Sequence, residues 1–234
     1  MGSDDLFHKR KARNEKDNAR KKSFRKPYDR VLIICEGGKT EPYYFEEVKS
    51  ILELDSANIK IDGSCGSSPI NVFNHAALIF NEDRKTGDIY NRVFCVFDRD
   101  SHTSYEEALQ KIDSLNTQLV KKKIINADEL IFTAIKSVPS FEYWFLLHYI
   151  PTTKPYEKSG DKSVGDQVID DLREYIPSYK KTQKGIFERS IKEGLLDGAK
   201  AHSKRIFEAA KISGEFNPST NVHELIDYLQ NLKD

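Results

Sequence analysis

The chain has 234 residues, with 37 Lys+Arg against 37 Asp+Glu. A net charge of zero excludes a global basic field as the basis for nucleic-acid binding, so any such argument has to be local. The length suits one large domain or a domain with an attachment, and no stretch approaches the roughly 18 consecutive apolar residues that a membrane span needs.

Residues 9–30 form the first distinct segment, with eleven Lys/Arg and only Glu15, Asp17 and Asp29 as acids. Phe24 and Tyr28 are its main large apolar residues, too few to bury a core, so residues 1–29 read as a basic arm. Such an arm is either solvated or docked on something anionic. The charged start is unlike a signal peptide. Cys35, Cys65 and Cys95 stand far apart without a C-x-x-C pair and read as reduced thiols, neither a disulfide frame nor a zinc site. A soluble, cytoplasmic protein is the expectation.

From Arg30 the pattern changes to alternating strands and helices. Arg30–Cys35 is a short apolar run rich in β-branched residues, as expected of a central strand covered on both faces. Thr40 is a candidate N-cap, with Glu41 and Pro42 in the first turn and Tyr44, Phe45, Val48, Ile51 and Leu52 at helical spacing. A strand is predicted at 59–61. Ser68 and Pro69 then read as the cap and first residue of a helix to about Phe80. Arg92–Phe97 is a further doubly covered strand, ending in Asp98-Arg99-Asp100. A helix over 104–119 and a strand over 130–135 follow. Strands and helices alternating in this way predict a mainly parallel sheet with right-handed crossovers, an α/β domain over residues 30–150. Residues 151–234 read as a helical extension packed on that core, with helices over 164–175, 186–196, 197–213 and 222–232.

The stretch CEGGKTEPYYF carries the first chemistry. Gly38-Lys39-Thr40 looks like the end of a phosphate-binding P-loop, but the first glycine of that motif would have to stand where Ile33 is, inside the strand. What remains is a carboxylate, Glu36, at the carboxyl end of one strand, with Asp98 and Asp100 at the carboxyl end of another. Ligands of open α/β sheets bind beyond those ends. If the two strands are neighbours, the three acids share a crevice, with Asp98 and Asp100 facing one way and Arg99 turned aside. Unpartnered, they would raise one another's pKa; a hard divalent cation, Mg²⁺ or Mn²⁺, removes the conflict. Gly37 and Gly38 would let backbone approach a ligand, and Lys39 is a candidate partner for a phosphate. The plainer alternative is that these acids cap helices or pair with Lys39 or Arg99.

CEGGKTEPYYF, VFDRD, VPSFEYWFLLHY and NPSTNVHELI, four separated motifs in order, together resemble the RloB-like family of bacterial proteins, whose core is similar to the Toprim fold of topoisomerases, primases and OLD-type nucleases. The resemblance implies a Toprim-like, mainly parallel sheet flanked by helices. It also implies Glu36 as acid or base in phosphodiester chemistry, with Asp98 and Asp100 as Mg²⁺ ligands. Glu142, in the third motif, becomes a candidate further metal or water ligand. A defence setting beside an ABC-type ATPase is implied as well.

The remaining residues are weaker candidates. Phe141, Trp144, Phe145 and His148 alternate with leucines and read as core rather than as a base-stacking platform. His75 and His102 have no ligand-like spacing. Lys180, Lys181, Lys184, Lys200, Lys204 and Arg205 give the extension a basic face, either solvated or in contact with nucleic acid or a partner. The leading expectation is a metal-dependent nuclease acting on RNA, tRNA included, or DNA, as a phage-defence effector, with no membrane contact and homo-oligomerisation left open. The rivals are a non-catalytic module that docks on an ATPase or nucleic acid, and a phosphatase or phosphotransferase acting on a small phosphorylated ligand. Topoisomerase activity does not fit this length, and primase activity lacks its zinc-ligand cluster.

Overall fold

The computed structural model describes residues 29–87, 89–99, 104–122, 124, 130–158, 160 and 162–233. The basic arm up to residue 28, His102 and Asp100 lie outside them. Five strands form one sheet: β1 (Val31–Cys35), β2 (Ile59–Asp62), β3 (Arg92–Asp98), β4 (Phe132–Val138) and β5 (Ser219–Thr220). Their order is β2-β1-β3-β4-β5. The first four run parallel and β5 runs antiparallel to β4. The architecture is therefore α/β with a mainly parallel sheet, and β1 and β3 are direct neighbours.

Alternation along the strands divides the core into two layers. Leu32, Ile34, Val93, Cys95 and Phe97 face α2 (Pro69–Thr86) and α3 (Tyr105–Lys121). Val31, Ile33, Cys35, Phe94, Val96 and Ile135 face the opposite layer. That layer is built from α1 (Thr40–Ile51), α4 (Glu142–Leu146), α5 (Val164–Arg173), α6 (Ile186–Lys192), α7 (Leu196–Ser213) and α8 (Val222–Gln230). Every residue of β1 is buried, as a strand covered on both faces requires. Phe141, Trp144 and Phe145 are buried in the second layer, so the aromatic stretch is core. Among the described residues, no helix is long and apolar enough to cross a membrane.

Several local expectations shift. Ser68 does cap α2, accepting from the Asn71 amide, and Pro69 opens the helix, which runs past Phe80 to a left-handed Gly87 at φ 92°. Thr40 is not an N-cap: it is the first residue of α1, after Lys39, and its hydroxyl donates to the Lys181 carbonyl at 3.0 Å. Strand β4 starts later than predicted and continues to Val138, because it pairs with β3 as far as Asp98 and Ser137. The third motif forms only a short helix, Glu142–Leu146, with Phe141 at the cap position, and Ser140 Oγ is buried without a partner. On either side the chain tightens into i−3 bonds, Tyr143 to Ser140 before it and His148 to Phe145 after it.

Strand β5 was not foreseen, and it brings the C-terminal segment into the sheet. The NPSTNVHELI motif does structural work there. The Asn221 side chain accepts from the Lys136 amide at 2.6 Å and donates to the Ala134 carbonyl at 3.1 Å, extending the β4 edge as a peptide would. It also donates to Glu224 at 2.8 Å. Asn217 treats Tyr156 in the same way, accepting from its amide and donating to its carbonyl. Ser203 donates to the Thr220 carbonyl at 2.8 Å, tying α7 to the same strand.

Asn221→Ala leaves a strand amide and a carbonyl unsatisfied, so a loss of about 2 to 3 kcal/mol is expected. Urea unfolding with an unchanged m-value is the check; an unaltered midpoint would contradict the edge-extension role.

Candidate functional site

The register Cys35↔Val96 sets the site. It carries β1 out of the sheet beside the last residues of β3, and the Glu36 amide donates to the Val96 carbonyl at 3.0 Å. The Glu36 carboxylate then reaches across and accepts from the Asp98 amide at 2.9 Å. The two acids lie side by side at the carboxyl edge of the central strands.

Two more acids close on them. Glu41 is in the first turn of α1 and Glu142 in the first turn of α4, only 6% and 3% exposed. Burial pushes the Asp98 carboxyl well up, and the charges of Glu41, Glu142 and Glu36 push it further; a hydrogen bond from the Phe141 amide pulls the other way. Asp98 Oδ1 is enclosed without a hydrogen-bond partner. Glu41 is raised to about 7, first by burial and then by Glu142 and Glu36. Tyr44 and Phe141, in edge contact at 5.7 Å, place apolar surface beside these acids in sequence, and Tyr44 accepts from Trp144 Nε1 at 2.8 Å. Glu41 and Glu142 are thus carboxyls held largely out of water beside other negative charge.

Glu41 was not singled out from the sequence, where it reads as an ordinary first-turn acid. The available signal was the spacing E-G-G-K-T-E, since a strand end and the following helix start meet at one edge of the sheet. Gly37 has its own reason here: a Cβ would stand 3.0 Å from Glu41 Oε2. Gly63 is more restricted still, because a Cβ there would collide with the Gly37 carbonyl at 2.4 Å. The turn that carries Gly37 and Gly38 thus packs closely against the end of β2.

Lys39 is exposed at the cap of α1, and the cation that most favours ionised Glu41 is Lys181. Arg99 turns aside, lying 4.0 Å from Glu106 and over the Tyr105 ring, so it does not neutralise Asp98. Tyr179, absent from the sequence-based candidates, donates to Glu142 Oε1 at 3.4 Å. No local signal marks it, because it arrives from the segment between α5 and α6.

Beyond this centre, His75 bonds Asp62 at 3.0 Å. Partial burial raises the Asp62 carboxyl, but hydrogen bonds from Ser64 and His75 outweigh it and bring it to about 2. The three cysteines are free. Burial pushes the Cys65 thiol to about 11, which argues against a nucleophilic thiolate.

Among the described residues, no three His, Cys, Asp or Glu side chains converge closely enough to hold a metal ion together. Asp100, the third acid of the sequence motif, lies outside them. The donor chemistry fits a hard divalent cation all the same: oxygen ligands only, a buried Asp98 oxygen without a partner, and carboxyls at Asp98 and Glu41 raised by burial and by neighbouring negative charge.

A family model described as RloB-like protein matches residues 31–229. No curated protein matches the chain.

The raised Glu41 carboxyl has a signed consequence. Its folded pKa exceeds the unfolded value, so the folded state holds the proton longer and stability falls as pH rises from about 4.5 to about 7. His148 has the opposite effect in an overlapping window: burial lowers it to about 4, and stability is lost as pH falls below 6.5. Comparing wild type with Glu41→Gln in EDTA cancels the histidine. The variant is expected to gain on the order of 3 kcal/mol relative to wild type between pH 4.5 and pH 7, and to hold that advantage above. A pH-independent difference in unfolding free energy would contradict this.

Proposed function

The chain belongs to the RloB-like family, and on that premise we propose that it is a metal-dependent nuclease. It would hydrolyse phosphodiester bonds in RNA, tRNA among the candidates, or in DNA, as a phage-defence effector with an ABC-type ATPase partner. The single observation that carries the reading is the Glu36 carboxylate on the Asp98 amide at 2.9 Å, with Asp98 Oδ1 buried and unpartnered beside it. Strand-terminal acids brought together in this way are what phosphodiester chemistry on an open α/β sheet requires.

Glu36, Asp98, Asp100 and Glu142 would hold Mg²⁺ or Mn²⁺. When bound, the ion supplies counter-charge and Lewis acidity toward a phosphoryl oxygen. The chain's own residues do the rest. The Asp98 amide fixes the direction of the Glu36 carboxylate. Glu41, raised to about 7, can hold or release a proton at its carboxyl near neutral pH. Tyr179 steadies Glu142 through its hydroxyl.

The second reading is a non-catalytic module that docks on an ATPase or on nucleic acid. It draws on the lack of three converging ligand side chains among the described residues.

Cleavage assays on tRNA and on DNA with Mg²⁺, Mn²⁺ or EDTA separate the two. Wild type is expected to cut in the presence of metal only. Glu36→Gln and Asp98→Asn should each lower the rate at least about 100-fold, as loss of a group acting in the transition state does. No cleavage under any of these conditions, with the ATPase added, would favour the docking module.

A further inference from the structure

The segment joining α5 to α6 is fastened to the rim of the acidic centre at four points. Tyr179 donates to Glu142 at 3.4 Å, and the Thr40 hydroxyl holds the Lys181 carbonyl at 3.0 Å. The Lys184 ammonium lies over the Tyr43 ring at 4.8 Å. The Gly185 amide donates to Glu47 at 2.9 Å. Three of these anchors are in α1, the helix that supplies Glu41, so the segment and the acids are positioned by one element.

That segment carries Lys180, Lys181 and Lys184, all exposed. Among the described residues none of the three is in an ion pair with an acid. Five lysines elsewhere in the C-terminal half are tied, Lys154 to Asp171, Lys162 to Asp170, Lys192 to Glu188, Lys200 to Asp227 and Lys211 to Glu208, whereas Lys158 and Lys204 have no acid in ion-pair reach among the described residues. The basic face expected from the sequence therefore splits. Lys200 belongs to a helix–helix contact, whereas 180–184 keeps its charge available. Lys181 also acts on Glu41, which puts its ammonium within electrostatic reach of the acids.

We propose that Lys180, Lys181 and Lys184 form the phosphate-gripping strip of the site, holding the backbone of a single-stranded polynucleotide next to the scissile position. The inference rests on the reading of the acidic centre as a phosphodiester centre. A strand whose reacting phosphate sits at Asp98 has further phosphates on either side, and these need cations that the acids cannot offer. Lysines on a backbone fixed to α1 meet that need at a set distance, Lys181 nearest the centre. They read charge and spacing without reading bases.

The test measures binding, not cleavage. Fluorescence anisotropy of labelled single-stranded RNA and DNA oligonucleotides is followed across a salt series, with calcium in place of magnesium to counter the carboxylate charge. Lys180→Gln/Lys181→Gln/Lys184→Gln is compared with Lys154→Gln/Lys162→Gln/Lys192→Gln, which removes the same charge elsewhere, and thermal unfolding of both verifies folding. The first variant is expected to bind at least about tenfold more weakly at low salt, with a salt slope smaller by about 2, near 0.7 per lost phosphate contact. The second should stay within about twofold of wild type. Equal weakening in both variants, or no binding by wild type, overturns the proposal. Polyglutamate binding lost in the first variant while oligonucleotide binding persists also overturns it, in favour of an acidic protein partner. A chain that binds in this pattern but never cleaves leaves the strip standing and removes only the nuclease reading.

Discussion

Glu36, Asp98, Glu41 and Glu142 meet at one edge of the sheet, Glu41 and Glu142 buried and Asp98 Oδ1 enclosed, and the opposition of their charges is the constraint around which the site is organised. Side-by-side pairing of β1 and β3 creates it by delivering Glu36 onto the Asp98 amide. The cost is visible in the carboxyl of Glu41, which holds a proton up to about pH 7, and in that of Asp98, which is raised as well. A fold does not keep such an arrangement for stability, since burying like charges opposes folding. The repulsion is relieved by protons in the isolated chain and, on the proposed function, by a divalent ion.

Holding the acids in place takes most of the molecule. The glycines at 37 and 63 allow the turn after β1 to press against the end of β2, which aims α1 and its Glu41 at the edge of the sheet. Strand β4 positions the turn into α4 and hence Glu142. That strand is secured on its outer side by Asn221 and by β5. The C-terminal segment thus has two tasks: one end completes the sheet, and the other, around Tyr179 and Lys181, covers the acids from the side of α1.

Much of this was legible in the sequence. The doubly covered strands over 31–35 and 92–98 announced themselves by unbroken apolar runs, and the Ser68-Pro69 start by its local capping chemistry. The pairing of Glu36 with Asp98 followed from placing strand ends on a parallel sheet. Features set by tertiary contact were not legible. Strand β5 is two residues long and exists because Asn221 and Thr220 find partners on β4, which no periodicity records. Thr40 carries a good capping side chain but spends it on a carbonyl 141 residues away. Glu41 looks like any acid in a first turn until the fold sets it against Glu142 and Glu36. Lys39, adjacent to the motif glycines, was the natural candidate cation; the one that acts on Glu41 comes from a distant loop.

The central claim is that these acids share a hard cation, and anomalous diffraction from a crystal soaked in Mn²⁺ tests it most directly. On this account a manganese peak appears beside Asp98 Oδ1, bonded to Asp98 and Glu36 directly or through one water, and it disappears in Asp98→Asn. A crystal saturated with Mn²⁺ that shows no peak there, with Glu36 still on the Asp98 amide, would contradict it.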